Sequence, residues 1–150
     1  SNRRLLAGHY SSAMSIDFQP GMVLRYPYLW HWQDVRGESE GRKDRPTTVA
    51  AAFVARDNRN YLLLLPVTTR LPAPNRIAAE VPATEKRRAG LDQSRQQWIL
   101  LEEYNLDRIA TSYDLQASPP LGQCSDAFMR LLLTRFKTLL PQAKCISRYP

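Results

Sequence analysis

Two periodicities divide the chain. Between Met22 and Trp32, Tyr26, Tyr28, Trp30 and Trp32 alternate with Arg25, Pro27, Leu29 and His31, the two-residue repeat of a strand. Pro27 has no N–H to give to a ladder, which predicts an edge or a bulge there. Gln33 to Asp44 is charged, nearly devoid of apolar residues and punctuated by Gly37 and Gly41, so it reads as a loop. Thr47 to Ala55 predicts a buried strand, Arg56 to Asn60 a polar turn, and Tyr61 to Val67 a second apolar strand, together an antiparallel hairpin. Leu71 to Asn75 holds two prolines and is irregular. Ile77, Ala79 and Val81 alternate as a short strand, and Trp98 to Leu101 forms another.

Near the C-terminus the repeat changes. Phe128, Leu131, Leu132, Phe136, Leu139 and Leu140 follow three- and four-residue spacing, which predicts a helix over about residues 125–140. Ser125 or Asp126 can cap its start and Pro141 stops it. Five strands with turn signals between them predict a small barrel or sandwich, closed by that helix. Residues 1–13, with Arg3-Arg4 and no periodicity, read as a peripheral segment ahead of a single domain over 14–150, with Met14 a candidate start.

Composition adds a constraint on partners. The 150 residues are 43% hydrophobic and 23% charged, ordinary for a packed domain. The formal net charge is +7, which favours polyanions, nucleic acid above all. Cys124 and Cys145 are too few for a disulfide scaffold, and with His9 and His31 they offer no metal-ligand spacing, so no metal or other cofactor is expected. No apolar run reaches the roughly 18 residues of a membrane span, and no secretory leader opens the chain. These features predict a cytoplasmic protein without a membrane partner.

Familiar catalytic signatures are missing: no Walker loop, GxGxxG, HExxH or GxSxG. What remains is the segment Gly37 to Pro46, which carries carboxylates and guanidinium groups beside the aromatic strand. Cleavage of RNA at a phosphodiester can use such groups. The 2′-hydroxyl must lose a proton, the leaving 5′-oxygen must gain one, and the phosphate's charge must be stabilised. Arginine suits the last task through planar paired contacts.

In order along the chain stand Pro20-Gly21 opening a strand, an acidic glycine-containing loop, Arg45-Pro46 before a Val/Ala strand, Pro66-Val67-Thr68-Thr69, and Gly90-Leu91-Asp92 to Ser94 before Trp98 to Glu103. This set, over roughly residues 19–105, resembles the PemK/MazF family of toxin-antitoxin ribonucleases, in its plasmid-maintenance, growth-inhibitor branch. The resemblance implies a mainly β fold with a C-terminal helix, a small SH3-like (CcdB/MazF-like) β-barrel of about five to seven short strands, in a homodimer. It implies metal-independent cleavage of single-stranded RNA that arrests growth, and a cognate antitoxin that blocks the groove.

By position, Arg45 matches the family's arginine before proline, as general acid or phosphate stabiliser, and Thr68 the threonine that bonds the phosphate. Glu40 matches a glutamate proposed as base, although the local loop departs from the family's usual sequence; Glu102 or Glu103 are alternative bases. Lys43, Thr69, Arg70, Asn105 and Trp32 are the expected RNA contacts. The Tyr26/Tyr28/Trp30/Trp32 alternation reads as a barrel or dimer face with one ring able to stack on a base. His31, at the root of the loop, reads as surface or as a proton carrier, and Lys86-Arg87-Arg88 as exposed charge or phosphate contacts. Two other functions stay open: a non-catalytic nucleic-acid- or protein-binding module of the same fold, and a CcdB-like toxin directed at gyrase.

Overall fold

The computed structural model describes residues 17–116 and 119–150, so the expected peripheral segment lies outside the described residues. Eight strands form one sheet: β1 (Met22–Tyr26), β2 (Arg45–Val54), β3 (Asn60–Thr68), β4 (Ala78–Glu80), β5 (Trp98–Leu100), β6 (Glu103–Arg108), β7 (Gly122–Gln123) and β8 (Lys144–Ser147). Among the described residues four α-helices are dispersed between them: α1 (His31–Val35), α2 (Ala83–Ala89), α3 (Tyr113–Gln116) and α4 (Asp126–Leu139). The main path runs β7-β1-β2-β3-β5-β4. β3 is the hub: its first half pairs with β6 and its last residues with β5, while β8 lies parallel on the outside of β6.

The predicted hairpin is present as β2 and β3, with a register shift between Val49 and Ala51. The unbroken apolar run of β3 follows from cover on both faces. Leu63, Leu65 and Val67 pack with Val23, Ala50 and the helix residues Met129, Leu132 and Phe136. Leu62 and Leu64 pack on the other face with Leu24, Tyr26, Tyr28 and Val49. The terminal helix is therefore present, capped by Ser125, whose hydroxyl accepts from the Phe128 N–H at 3.2 Å. Its buried stripe is Met129, Leu132 and Phe136; Leu131, expected inside, is exposed.

The expected closed SH3-like barrel is not formed. The fold is α/β, an open eight-stranded sheet with four dispersed helices. Closure fails at Pro27. The strand expected over Met22 to Trp32 leaves its ladder after Tyr26, because proline gives no donor, and the chain turns into α1 at His31. Trp30 flanks the start of α1, and its N–H donates to the buried Gln33 side chain at 3.0 Å.

Side chains bridge the gap that no backbone ladder fills. The Tyr26 hydroxyl donates to Asp107 at 2.6 Å and the Tyr28 hydroxyl to Glu103 at 3.2 Å. The Asn105 amide accepts from the Leu29 N–H at 2.9 Å and donates to the Leu29 carbonyl at 2.8 Å, as a neighbouring strand would. Arg148 Nη1, just beyond β8, donates to the Pro27 carbonyl at 2.7 Å and to Asn105 Oδ1 at 3.1 Å. The pattern of β6 is accordingly inverted: Glu103, Asn105 and Asp107 are buried, while Tyr104 and Leu106 are only half-buried.

Candidate active site

Arg45 opens β2 as the Cα partner of Tyr26. Paired residues of antiparallel strands share a face, so Arg45 lies on the Tyr26 side of the sheet, away from α4. The last paired residues of β2 and β3 at this end are Thr47 and Pro66. Continued by two residues, that register sets Arg45 across from Thr68, on the same face. Continued likewise from Leu64 and Asn105, the β3–β6 register sets Pro66 across from Glu103. By this register Arg45, Thr68 and Glu103 fall on the same face of the sheet toward the end of β3.

The guanidinium of Arg45 stacks over the Trp30 ring at 4.8 Å, and Trp30 meets Tyr28 edge-on at 5.0 Å. Its Nε is buried without a hydrogen-bond partner, and among the described residues no carboxylate pairs with the group. Burial pulls its pKa down, opposed by Tyr28. Arginine nonetheless stays charged. A half-buried cation without a counter-ion is an electrostatic invitation to an anion.

Tyr28, which faces the Arg45 charge, in turn bonds a buried acid. Glu103, 5% exposed, accepts from Tyr28 Oη and from the His31 N–H, each at 3.2 Å, and pairs with Arg76 Nη2 at 3.4 Å. Burial raises its pKa; the His31 N–H, Arg76 and Tyr28 act the other way. Tyr28 is itself pushed well above the ordinary tyrosine range, by burial first and then by Glu103, so it stays protonated and donates. Arg76, on the segment between β3 and β4, also bonds Glu102 and stands half-buried over both carboxylates.

The other expected site residues are dispersed. The Thr68 hydroxyl accepts from the Arg70 N–H at 3.1 Å, a local turn contact. Thr69, Arg70 and Lys43 are exposed near this end of the sheet. Glu40 is exposed, and with Asp44 it is close enough to Asp114 to raise that carboxyl, so its field falls on the α3 side of the face. Trp32, 45% exposed, has the guanidinium groups of Arg36 and Arg42 over its ring, at 5.2 and 4.9 Å, and Arg42 pairs with Glu38 at 2.8 Å. Asn105, expected at the RNA surface, is fully buried with its amide committed to Leu29.

Gly41 explains how the charged loop is held. A Cβ there would come within 2.0 Å of the Pro27 carbonyl oxygen, so only glycine allows the loop to lie against the Pro27–Tyr28 backbone. Sequence reasoning missed Arg76 and the role of Tyr28. The visible signal was the Glu103-x-Asn105-x-Asp107 alternation, which normally marks a solvent face and here marks the inner one.

Among the described residues no group of three or more His, Cys, Asp or Glu is arranged to hold a metal ion, and no helix is long and apolar enough to cross a membrane. No protein-family model matches the chain, and no curated protein matches its sequence.

Proposed function

We propose that the protein is an endoribonuclease that cleaves single-stranded RNA with side chains of its own, acting in the cytoplasm as the growth-arresting toxin of a toxin-antitoxin pair. The observation that carries this reading is Arg45: a partly buried guanidinium, stacked on an aromatic ring, unpaired, and linked through Tyr28 to a buried carboxyl. Its expected ligand is the scissile phosphate, where it offsets the charge that builds in the transition state. Arg76 supplies a second guanidinium at the entrance to Glu103. When phosphate draws Arg76 off the carboxylates, Glu103 is left as a base of raised pKa for the 2′-hydroxyl proton. Thr68 donates its hydroxyl to a phosphate oxygen, and the departing 5′-oxygen, its developing charge offset by Arg45, takes its proton from water. The products are a 2′,3′-cyclic phosphate and a free 5′-hydroxyl.

The depth of Glu103 favours a second reading, a nucleic-acid-binding surface without cleavage, in which the carboxyl only anchors α1. Incubating the protein with a defined RNA in EDTA and mapping the product ends separates the two. The ribonuclease reading expects cyclic-phosphate ends, and in Arg45→Ala a loss of at least about a hundredfold in cleavage with a much smaller loss of RNA affinity. RNA bound but left intact by the wild-type protein would establish the binding surface instead, and a strict magnesium requirement would overturn the mechanism.

A further inference from the structure

Two adjoining cavities lie at the end of β6 remote from Glu103, roughly 16 Å along the strand. The larger, about 300 Å³, is lined by Asp107, Arg108, Ser112, Asp114, Arg148 and Tyr149 among others. The smaller, about 170 Å³, is lined by Asn58 and Arg59 among others, and Arg108 and Thr111 border both.

The groups facing this space are of three kinds. Arg108 lies over the Tyr149 ring at 4.4 Å and its Nε donates to Tyr61 Oη at 3.2 Å. Among the described residues neither Arg108 nor the exposed Arg59 has a carboxylate within ion-pair distance. Tyr149 meets the buried Tyr61 edge-on at 5.3 Å, and Tyr61 stacks on the exposed Phe53, so the half-buried Tyr149 is the ring that borders the cavity. Of the two carboxyls, Asp107 is committed to the Tyr26 and Ser112 hydroxyls at 2.6 and 2.9 Å, whereas Asp114 makes no hydrogen bond among the described residues. Cation, flat ring and unbonded acceptor are the complements of phosphate, base and amino group.

We propose that these cavities form a nucleotide subsite for single-stranded RNA, with phosphate on Arg59 and Arg108, a base against Tyr149, and its exocyclic amino group on Asp114. Such a subsite accepts adenine, cytosine and guanine and disfavours uracil, which has no amino group. It rests on the ribonuclease reading for its substrate class. One side chain joins it to the first site: Tyr26 is the Cα partner of Arg45 and hydrogen-bonds Asp107 in the cavity wall.

The test is fluorescence anisotropy with labelled oligonucleotides of about twelve nucleotides, all-uracil against all-adenine and all-cytosine, on the full chain. Arg59→Ala and Arg108→Ala are expected to weaken binding about tenfold each. Asp114→Asn is expected to erase the preference for amino-bearing bases. Arg59 and Asp114 are exposed, so these two variants keep the fold, as a circular-dichroism melt checks. In the cleavage assay the same variants raise KM for long RNA, leave kcat unchanged, and leave a dinucleotide substrate unaffected. Unchanged affinity in all three variants overturns the subsite while leaving the ribonuclease reading intact. Arginine-dependent, uracil-disfavouring binding by a protein that cleaves nothing upholds the subsite and overturns the nuclease.

Discussion

Glu103 sits where solvent cannot stabilise its charge, and three donors compensate only in part. The sign of the pH dependence follows. A carboxyl whose folded pKa is raised makes its stabilising contribution in the protonated form, in full below the unfolded value of about 4.3. That contribution is lost as pH rises through the raised folded value. Glu103→Gln keeps an oxygen for Tyr28 and the His31 N–H but cannot ionise. Thermal melts from pH 4.5 to 8 are therefore expected to show the wild-type protein losing stability relative to the variant as pH rises; parallel curves would contradict the burial argument. At the same scale, burial pushes the Cys124 thiol up to about 12, while Cys145 is exposed. A disulfide reagent at pH 8 should label one thiol rapidly, and Cys145→Ser should abolish that fast phase.

Among elements, α2 shows how a short helix is placed. Gly90 ends it in the left-handed region at φ 71°, where its N–H reaches the Arg87 and Lys86 carbonyls. A Cβ at Gly90 would lie 2.2 Å from the Leu121 carbonyl oxygen. Gly90→Ala thus combines backbone strain with a clash against main chain, and should cost about 1–3 kcal/mol in urea unfolding. Glu85 of α2 accepts from the Ser125 N–H at 2.8 Å and from its hydroxyl at 2.7 Å, which ties α2 to the start of α4. Ser125→Ala removes the cap and one of these bonds, with an expected loss of about 1–2 kcal/mol.

For the whole molecule, the decisive feature is that side chains, and not a backbone ladder, tie the Tyr26–Leu29 stretch to β6 across an open sheet. The segment after β1 is fastened to β6 through Tyr26, Tyr28 and Asn105, each buried and each supplying what a backbone partner would. Asn105→Ala leaves the Leu29 N–H and carbonyl without that partner and strips Arg148 of one acceptor, at a cost of about 2–4 kcal/mol. The expected loss exceeds that of the exposed change Lys43→Ala, measured by the same unfolding titration. Net charge acts at this scale too: RNA binding by a +7 chain should weaken steeply between low and physiological salt, and a flat salt response would exclude phosphate as the main contact.

The hairpin of β2 and β3, the terminal helix and Arg45 at a strand entrance were legible because local periodicity and turn chemistry act over a few residues. The open sheet, α1 and the inward face of β6 were not. Whether an Asp, Asn or Glu on a strand faces water or the interior depends on donors brought from about 75 to 80 positions away, here Tyr26, Tyr28 and Leu29. Local sequence therefore determined where strands and helices can start and stop, and tertiary structure decided which polar groups are withdrawn from water, because the free energy of burying a charge is set by its neighbours in space.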